Sequence, residues 1–275
     1  MKKILIITLT ILTISCNQNK KEEKIETNTK KEEVKKDYEI RPSVSNPFVS
    51  AIENAHKKNL FLKHKSVSFS IDIKFGGKQR LNAKITMLTN TTKIRIDKKD
   101  GATLVYDGQD IFISPKDADD KRARFDMFTW TYFFGFPYKL NDPGTKWEVQ
   151  KNRTLDNISY NTAKLSFDTG IGDSPDDWYV LYADPNTNLL KASAYIVTYG
   201  SNGDTAKAES DPHAIYYKSF KTINNIPFAT KWEFYGWRSE KGFTDKLGEA
   251  SISNITFSED ENMTFRNPEN YKKLN

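Results

Sequence analysis

Residues 66–87 read Ser-Val-Ser-Phe-Ser-Ile-Asp-Ile-Lys-Phe-Gly-Gly-Lys-Gln-Arg-Leu-Asn-Ala-Lys-Ile-Thr-Met. Val67, Phe69, Ile71, Ile73 and Phe75 alternate with Ser68, Ser70, Asp72 and Lys74. Successive side chains of a strand point to opposite faces, so this pattern predicts a strand with one buried face. Gly76-Gly77 supplies the turn, and Leu81, Ala83, Ile85 and Met87 repeat the alternation. Outward from there the rhythm continues. Ile94 and Ile96 are followed by the turn Lys98-Lys99-Asp100-Gly101, then by Ala102–Tyr106, the turn Asp107-Gly108, and Ile111–Ser114. Asp-Gly is a strong hairpin signal. Five short strands joined by tight turns predict an antiparallel meander, and no βαβ rhythm points to a parallel sheet.

Upstream, Asn46-Pro47 opens a helix: Asn caps free amides and Pro suits the first helical position. Phe48, Ile52, Ala55 and Leu62 recur near helical spacing, which predicts a helix ending near Lys65. Downstream, residues 125–136 read Phe-Asp-Met-Phe-Thr-Trp-Thr-Tyr-Phe-Phe-Gly-Phe. The stretch is apolar nearly all round and ends at Gly135 and Pro137, which predicts a short helix packed on or into the sheet. It is read in two ways, as a lid over a cavity or as a plug that fills the interior. Strands then resume at Trp147–Val149, Ile158–Phe167, Trp178–Ala183, Leu189–Tyr199, Ile215–Phe220, Phe228–Trp237 and Glu249–Phe257, with polar loops at Gly200–Pro212 and Ser239–Asp245. The whole predicts one domain over 46–275, mainly β with helices. Its single curved antiparallel sheet has about 10–12 strands, closed or nearly closed on itself.

The first residues carry an address. Met1-Lys2-Lys3 is a positive start, Ile4–Ile14 is an apolar run, and Ser15-Cys16 closes it. The run is too short to span a bilayer and right for a signal peptide over 1–15. Thr13-Ile14-Ser15-Cys16 resembles a bacterial lipobox, with Thr13 where Leu is more common. That resemblance makes Cys16, the only cysteine, the lipidated first residue of the mature protein and its attachment to the membrane. Residues 16–45 read as the lipid anchor and a disordered charged tether. Within it Lys21-Glu22-Glu23 resembles a surface-export signal, although Lys30-Lys31-Glu32-Glu33 shows that low complexity yields the same pattern.

A single cysteine excludes an internal disulfide and cysteine-rich metal sites. There are 42 Lys and Arg against 36 Asp and Glu, and removing Lys2 and Lys3 leaves +4. That is too mild to indicate nucleic-acid binding. Asp97, Asp100, Asp107 and Asp110 surround two hairpin turns and are read as turn residues before calcium ligands; their spacing is not that of an EF-hand. Asp117, Asp119 and Asp120, and Asp173, Asp176 and Asp177, are read as solvated loops. His56 and His64 stand about two helical turns apart, too far to chelate one metal. His213 lacks a Gly-x-Ser-x-Gly elbow, so a hydrolase reading would need a polar pocket converging on it. The expectation is a protein without catalytic residues, metal or cofactor. The later strands are rich in Trp and Tyr, from Trp178 to Trp237, and an exposed set would make a glycan- or protein-binding surface.

Several segments together resemble a known family. They are the N-terminal helix leading into Ser66–Ile71, Asp97–Gly101 running on to Tyr106-Asp107-Gly108, and the aromatic helix. Two more follow: Trp178–Pro185 with Leu189-Leu190-Lys191, and Tyr217–Phe228. The chain resembles an uncharacterised family of Gram-negative outer-membrane lipoproteins with the half-barrel of the periplasmic lipoprotein carriers. The resemblance implies an incomplete β-barrel around a hydrophobic cavity that holds acyl chains under a helical lid. By that reading Phe125, Phe128, Trp130, Tyr132, Phe133 and Phe136 line the lid side and meet a lipid or acylated ligand.

Overall fold

The computed structural model describes residues 46–201, 204–259 and 264–274. The signal segment, Cys16, the charged tether and its Lys21-Glu22-Glu23 lie outside the described residues. Helix α1 (Pro47–Ala55) starts as the sequence predicts: the Asn46 side chain accepts a hydrogen bond from the Phe48 amide at 3.0 Å. It stops earlier than predicted. Lys57 adopts a left-handed φ of 60° and divides α1 from the single turn α2 (Lys58–Phe61). The break lets Val49 and Ile52 on one segment and Phe61 on the other all reach the core.

Five strands follow, β1 (Ser66–Phe75), β2 (Lys78–Leu88), β3 (Ile94–Lys98), β4 (Thr103–Tyr106) and β5 (Ile111–Ser114). The predicted alternation holds: Val67, Phe69, Ile71 and Ile73 are at most 1% exposed while the residues between them are less buried. Next come helix α3 (Ala123–Gly135) and a 3-10 turn (Phe136–Tyr138). A second run contains β6 (Thr145–Leu155), β7 (Ile158–Phe167), β8 (Tyr179–Ala183) and β9 (Leu190–Tyr195). After α4 (Thr205–Ser210) it continues through β10 (His213–Ile223), β11 (Ile226–Arg238) and β12 (Gly242–Ser258), and β13 (Lys272–Leu274) adds a short edge. The Gly200–Pro212 segment, predicted as loop, therefore carries a helical turn. The Ser239–Asp245 segment shrinks to a tight turn because β12 already begins at Gly242.

The thirteen strands of the described residues form one antiparallel sheet in the order β13-β5-β4-β3-β2-β1-β12-β11-β10-β9-β8-β7-β6. The two ends are different strands, so the sheet is an open half-barrel. The two meanders join where β1 pairs with β12, Ile71 opposite Ile252. This topology dictates where α3 lies. The chain leaves β5 near one end of the sheet and must reach β6 at the other, and α3 makes that crossing.

Ring contacts show how far the sheet curls. Phe128 on α3 meets Tyr106 on β4, while Tyr132 on the same helix meets Tyr179 on β8. Those strands are eight places apart in the sheet. A flat sheet would separate them by about 38 Å, whereas a helix with its side chains is only about 10–12 Å across. The sheet must wrap around α3. Register shifts in β1, β6, β8 and β11 add the local twist that such curvature needs.

Strands β8 to β11 bury both faces. Tyr179, Leu181, Ile215, Tyr217, Trp232 and Phe234 join the main core with α3. The alternate residues Val180, Tyr182, Ala214, Tyr216 and Trp237 form a second cluster on the outer face. There the Arg153 guanidinium lies 5.1 Å from the Trp237 ring and donates to the Ser239 carbonyl at 2.8 Å, so the β6–β7 hairpin reaches the β11–β12 turn.

Candidate functional site

Helix α3 presents two aromatic stripes with different work to do. Met127, Trp130 and Phe134 recur at helical spacing and pack against the sheet. Phe134 stacks on Phe69 at 3.8 Å, and Trp130 meets Phe75 and Phe234. Asp126 anchors this stripe. It accepts from Arg80 Nη2 on β2 at 2.6 Å and from Nη1 at 3.2 Å, and the Trp130 indole N–H donates to it at 2.8 Å. Phe125, Phe128 and Tyr132 recur as i, i+3 and i+7 on the other stripe, which borders a cavity of about 670 Å3. That volume lies within the range of ordinary small-ligand sites.

The cavity runs between α3 and the two halves of the sheet. Ile94 and Tyr106 border it from the first meander; Phe167, Tyr179 and Tyr195 border it from the second. Exposed Gly172 and Asp173 stand at its rim. Of the six aromatic residues singled out from sequence, the structure brings Phe125, Phe128, Tyr132 and Phe133 to the cavity. Trp130 and Phe136 are not among its lining residues. Trp130 faces the Asp126 anchor, and Phe136 is enclosed against Tyr132 and Tyr179.

Aromatic residues are the largest group in the walls, and they stand beside several Thr and Ile residues and five charged ones. Arg124 forms an ion pair with Asp173, which holds the guanidinium above its ordinary pKa, and its Cζ lies 5.3 Å from the Phe128 ring. Lys139 pairs with Asp142 at 2.6 Å. Asp177 differs from both. Its Oδ1 accepts from the Thr198 amide and from the Thr198 hydroxyl, each at 2.7 Å, and no cation among the described residues pairs with it. Burial pushes its carboxyl up to about 6, against the pull of the Thr198 bonds. The sequence reading placed Asp177 in a solvated loop; only its position just before Trp178-Tyr179, at the start of a buried strand, hinted otherwise. The hydroxyls of Tyr132, Tyr179 and Tyr195 make no hydrogen bond to any described residue. Burial raises the pKa of all three, so they are neutral phenols at neutral pH.

The other residues considered from sequence have plain structural roles. Asp107 accepts from the Gln109 and Asp110 amides, and Asp100 from the Ala102 amide, so both are turn caps. Asp97 is bound by Arg95 and Thr103, and Asp110 by Lys273. Among the described residues no group of three or more His, Cys, Asp or Glu is placed to hold a metal. His213 Nε2 stands 3.8 Å from Asp211, beyond hydrogen-bond reach, and its Nδ1 is buried without a partner. The later-strand aromatics divide between the two faces. On the outer face Trp237 and Tyr182 are at most 4% exposed, and Lys164 lies over the Trp178 ring.

One open antiparallel sheet thus wraps round a crossing helix, with a cavity between them. A LolA-superfamily protein from Nitrosomonas europaea shares this fold, with a TM-score of 0.51 over 78% of this chain and 97% of that one, at 10% identity. A DUF1329 family protein from Desulfovibrio piger aligns over 78% of this chain and 94% of that one, at 14% identity and a TM-score of 0.47. No curated protein matches the sequence. Residues 2–245 match a family of unknown function (DUF6503), and the chain belongs to it.

Proposed function

We propose that this protein is a lipid-anchored, non-catalytic component of the cell envelope that binds an apolar or acylated ligand under α3. The observation that carries this reading is the cavity of about 670 Å3 walled by Phe125, Phe128, Tyr132 and Phe133 on one side and by sheet residues on the other. Apolar burial there is worth about 25 cal/mol per Å2 before ordering costs. The shared fold with a LolA-superfamily protein supports a lipid-handling role.

Phe128 supplies the sharpest test because it borders the cavity and is only partly buried, against Tyr106 at 5.2 Å. Phe128→Asp is expected to weaken binding of an uncharged fluorescent long-chain alcohol by roughly tenfold or more, since an aromatic contact of this size is worth about 1.5–3 kcal/mol. Near-ultraviolet circular dichroism checks that the variant is folded, and Phe128→Ala serves if it is not. Unchanged affinity in a folded variant would remove the lid from the binding site.

The anchor is a separate part of the proposal. Acylated Cys16 would hold the domain at the outer membrane through residues 17–45, and two or three acyl chains suffice for stable attachment. Cys16→Ser is expected to move the protein from the membrane fraction to the soluble fraction. A variant that stays with the membrane would show that something other than Cys16 holds it there.

A further inference from the structure

The charges bordering the cavity are not balanced. Arg124 is held by Asp173 and Lys139 by Asp142, so both cations there are already neutralised. Asp177 is left over. One of its oxygens is fixed by Thr198, and no described residue bonds to the other. Beside it three tyrosine rings stand in series, Tyr132 to Tyr179 at 5.6 Å and Tyr179 to Tyr195 at 6.2 Å between centroids. Asp177 is close enough to raise the pKa of all three phenols. All three residues line the cavity, and their hydroxyls have no hydrogen-bond partner among the described residues. Four residues lining one cavity thus each carry a polar atom that no described residue satisfies.

An anionic headgroup would meet an unpaired carboxylate and find both neighbouring cations occupied. A cation meets the opposite situation: a carboxylate to pair with, and ring faces whose quadrupoles attract positive charge. We propose that the ligand of this cavity carries a cationic nitrogen, seated against Asp177 beside the rings of Tyr132, Tyr179 and Tyr195. The proposal rests on the lipid-binding reading above and specifies the headgroup class, an amine-bearing amphiphile.

Three single-chain probes of equal length separate the two ideas: dodecylamine, dodecanol and dodecanoate, each titrated into the purified protein by calorimetry at pH 8. The amine is expected to bind about tenfold or more tighter than the alcohol, and the carboxylate more weakly than either. Asp177→Asn should abolish the amine's advantage over dodecanol. Acidification adds a second readout. Asp177 titrates near 6, so lowering the pH from 8 to 5 should weaken amine binding by roughly tenfold in the wild type and not in Asp177→Asn. The other groups facing Asp177 do not mimic this. Asp173 and Asp142 are held by Arg124 and Lys139, Asp176 is exposed, and the tyrosines stay neutral throughout. Equal affinities for the three probes, or an amine preference that survives in Asp177→Asn, would overturn the headgroup assignment and leave the apolar cavity standing. Binding of none of the three would overturn both. If Asp177→Asn does not fold, the wild-type ranking and its pH dependence still decide.

Discussion

Asp126→Ala is expected to destabilise the protein by about 3–5 kcal/mol, because it leaves Arg80 without its partner in the core. Asp126 is 3% exposed and holds Arg80 through two bonds and the Trp130 indole through a third. Among the described residues it makes the one charged link between α3 and β2. The guanidinium also lies 5.8 Å from the Phe125 ring and 5.7 Å from the Trp130 ring, so it cannot swing into water without uncovering aromatic surface. Arg80 keeps 14% of its side chain exposed, which allows partial rehydration and favours the lower end of the range. Urea denaturation measures the effect directly. The double variant Arg80→Met with Asp126→Leu should recover most of the loss, since an apolar pair of similar volume removes the orphaned charge. A loss below about 1 kcal/mol for Asp126→Ala would mean that ring packing alone holds α3 in the half-barrel.

His56 carries the second large effect, and it depends on pH. The imidazole is 3% exposed, and its Nε2 accepts from the Leu190 amide of β9 at 3.0 Å. Its other nitrogen therefore carries the proton, given to the Pro227 carbonyl of β11. One neutral ring thus ties the end of α1 to two strands. His56→Ala leaves a buried donor, a buried acceptor and a cavity, for an expected loss of about 3 kcal/mol. Burial lowers the pKa of His56 from 6.5 to about 3. The unfolded chain then binds a proton below about pH 6.5 that the folded chain refuses, so stability falls as pH drops from there toward 3. The slope reaches about 1.4 kcal/mol per pH unit, or about 2 kcal/mol by pH 5. Asp177 acts in the opposite sense. Its folded pKa of about 6 lies above its ordinary 3.8, so it stabilises the folded state as pH falls through that interval. Comparing wild type with His56→Gln isolates the histidine. The variant should lose the acid slope above pH 5, and parallel profiles would show that His56 is not held neutral.

The first meander was legible almost residue by residue, because one buried face imposes alternation from Val67 to Ile85 and Gly-Gly and Asp-Gly pairs mark the turns. The break in the first helix was not. Lys57 takes a left-handed φ without the glycine that usually announces one. Helix α4 had its signal in Asp204, whose side chain accepts from the Ala206 amide at 3.0 Å, but six residues are too few for periodicity to show. For the site, sequence singled out the aromatic helix and could not divide its faces. Phe125, Phe128 and Tyr132 are as apolar as Trp130 and Phe134; only the positions of the strands decide which stripe meets the sheet and which the cavity. Asp177 was hidden for the same reason. A carboxylate in a Pro-Asp-Asp loop looks solvated until β8, β9 and Thr198 are placed around it.

The central claim is that the half-barrel holds a ligand. Native mass spectrometry of the Cys16→Ser protein, purified from a bacterial periplasm and followed by organic extraction, tests it most directly. The account predicts a retained amphiphile at one per protein, or stoichiometric uptake of one when added. A clean protein mass that takes up no added lipid would contradict it and leave α3 as a plug.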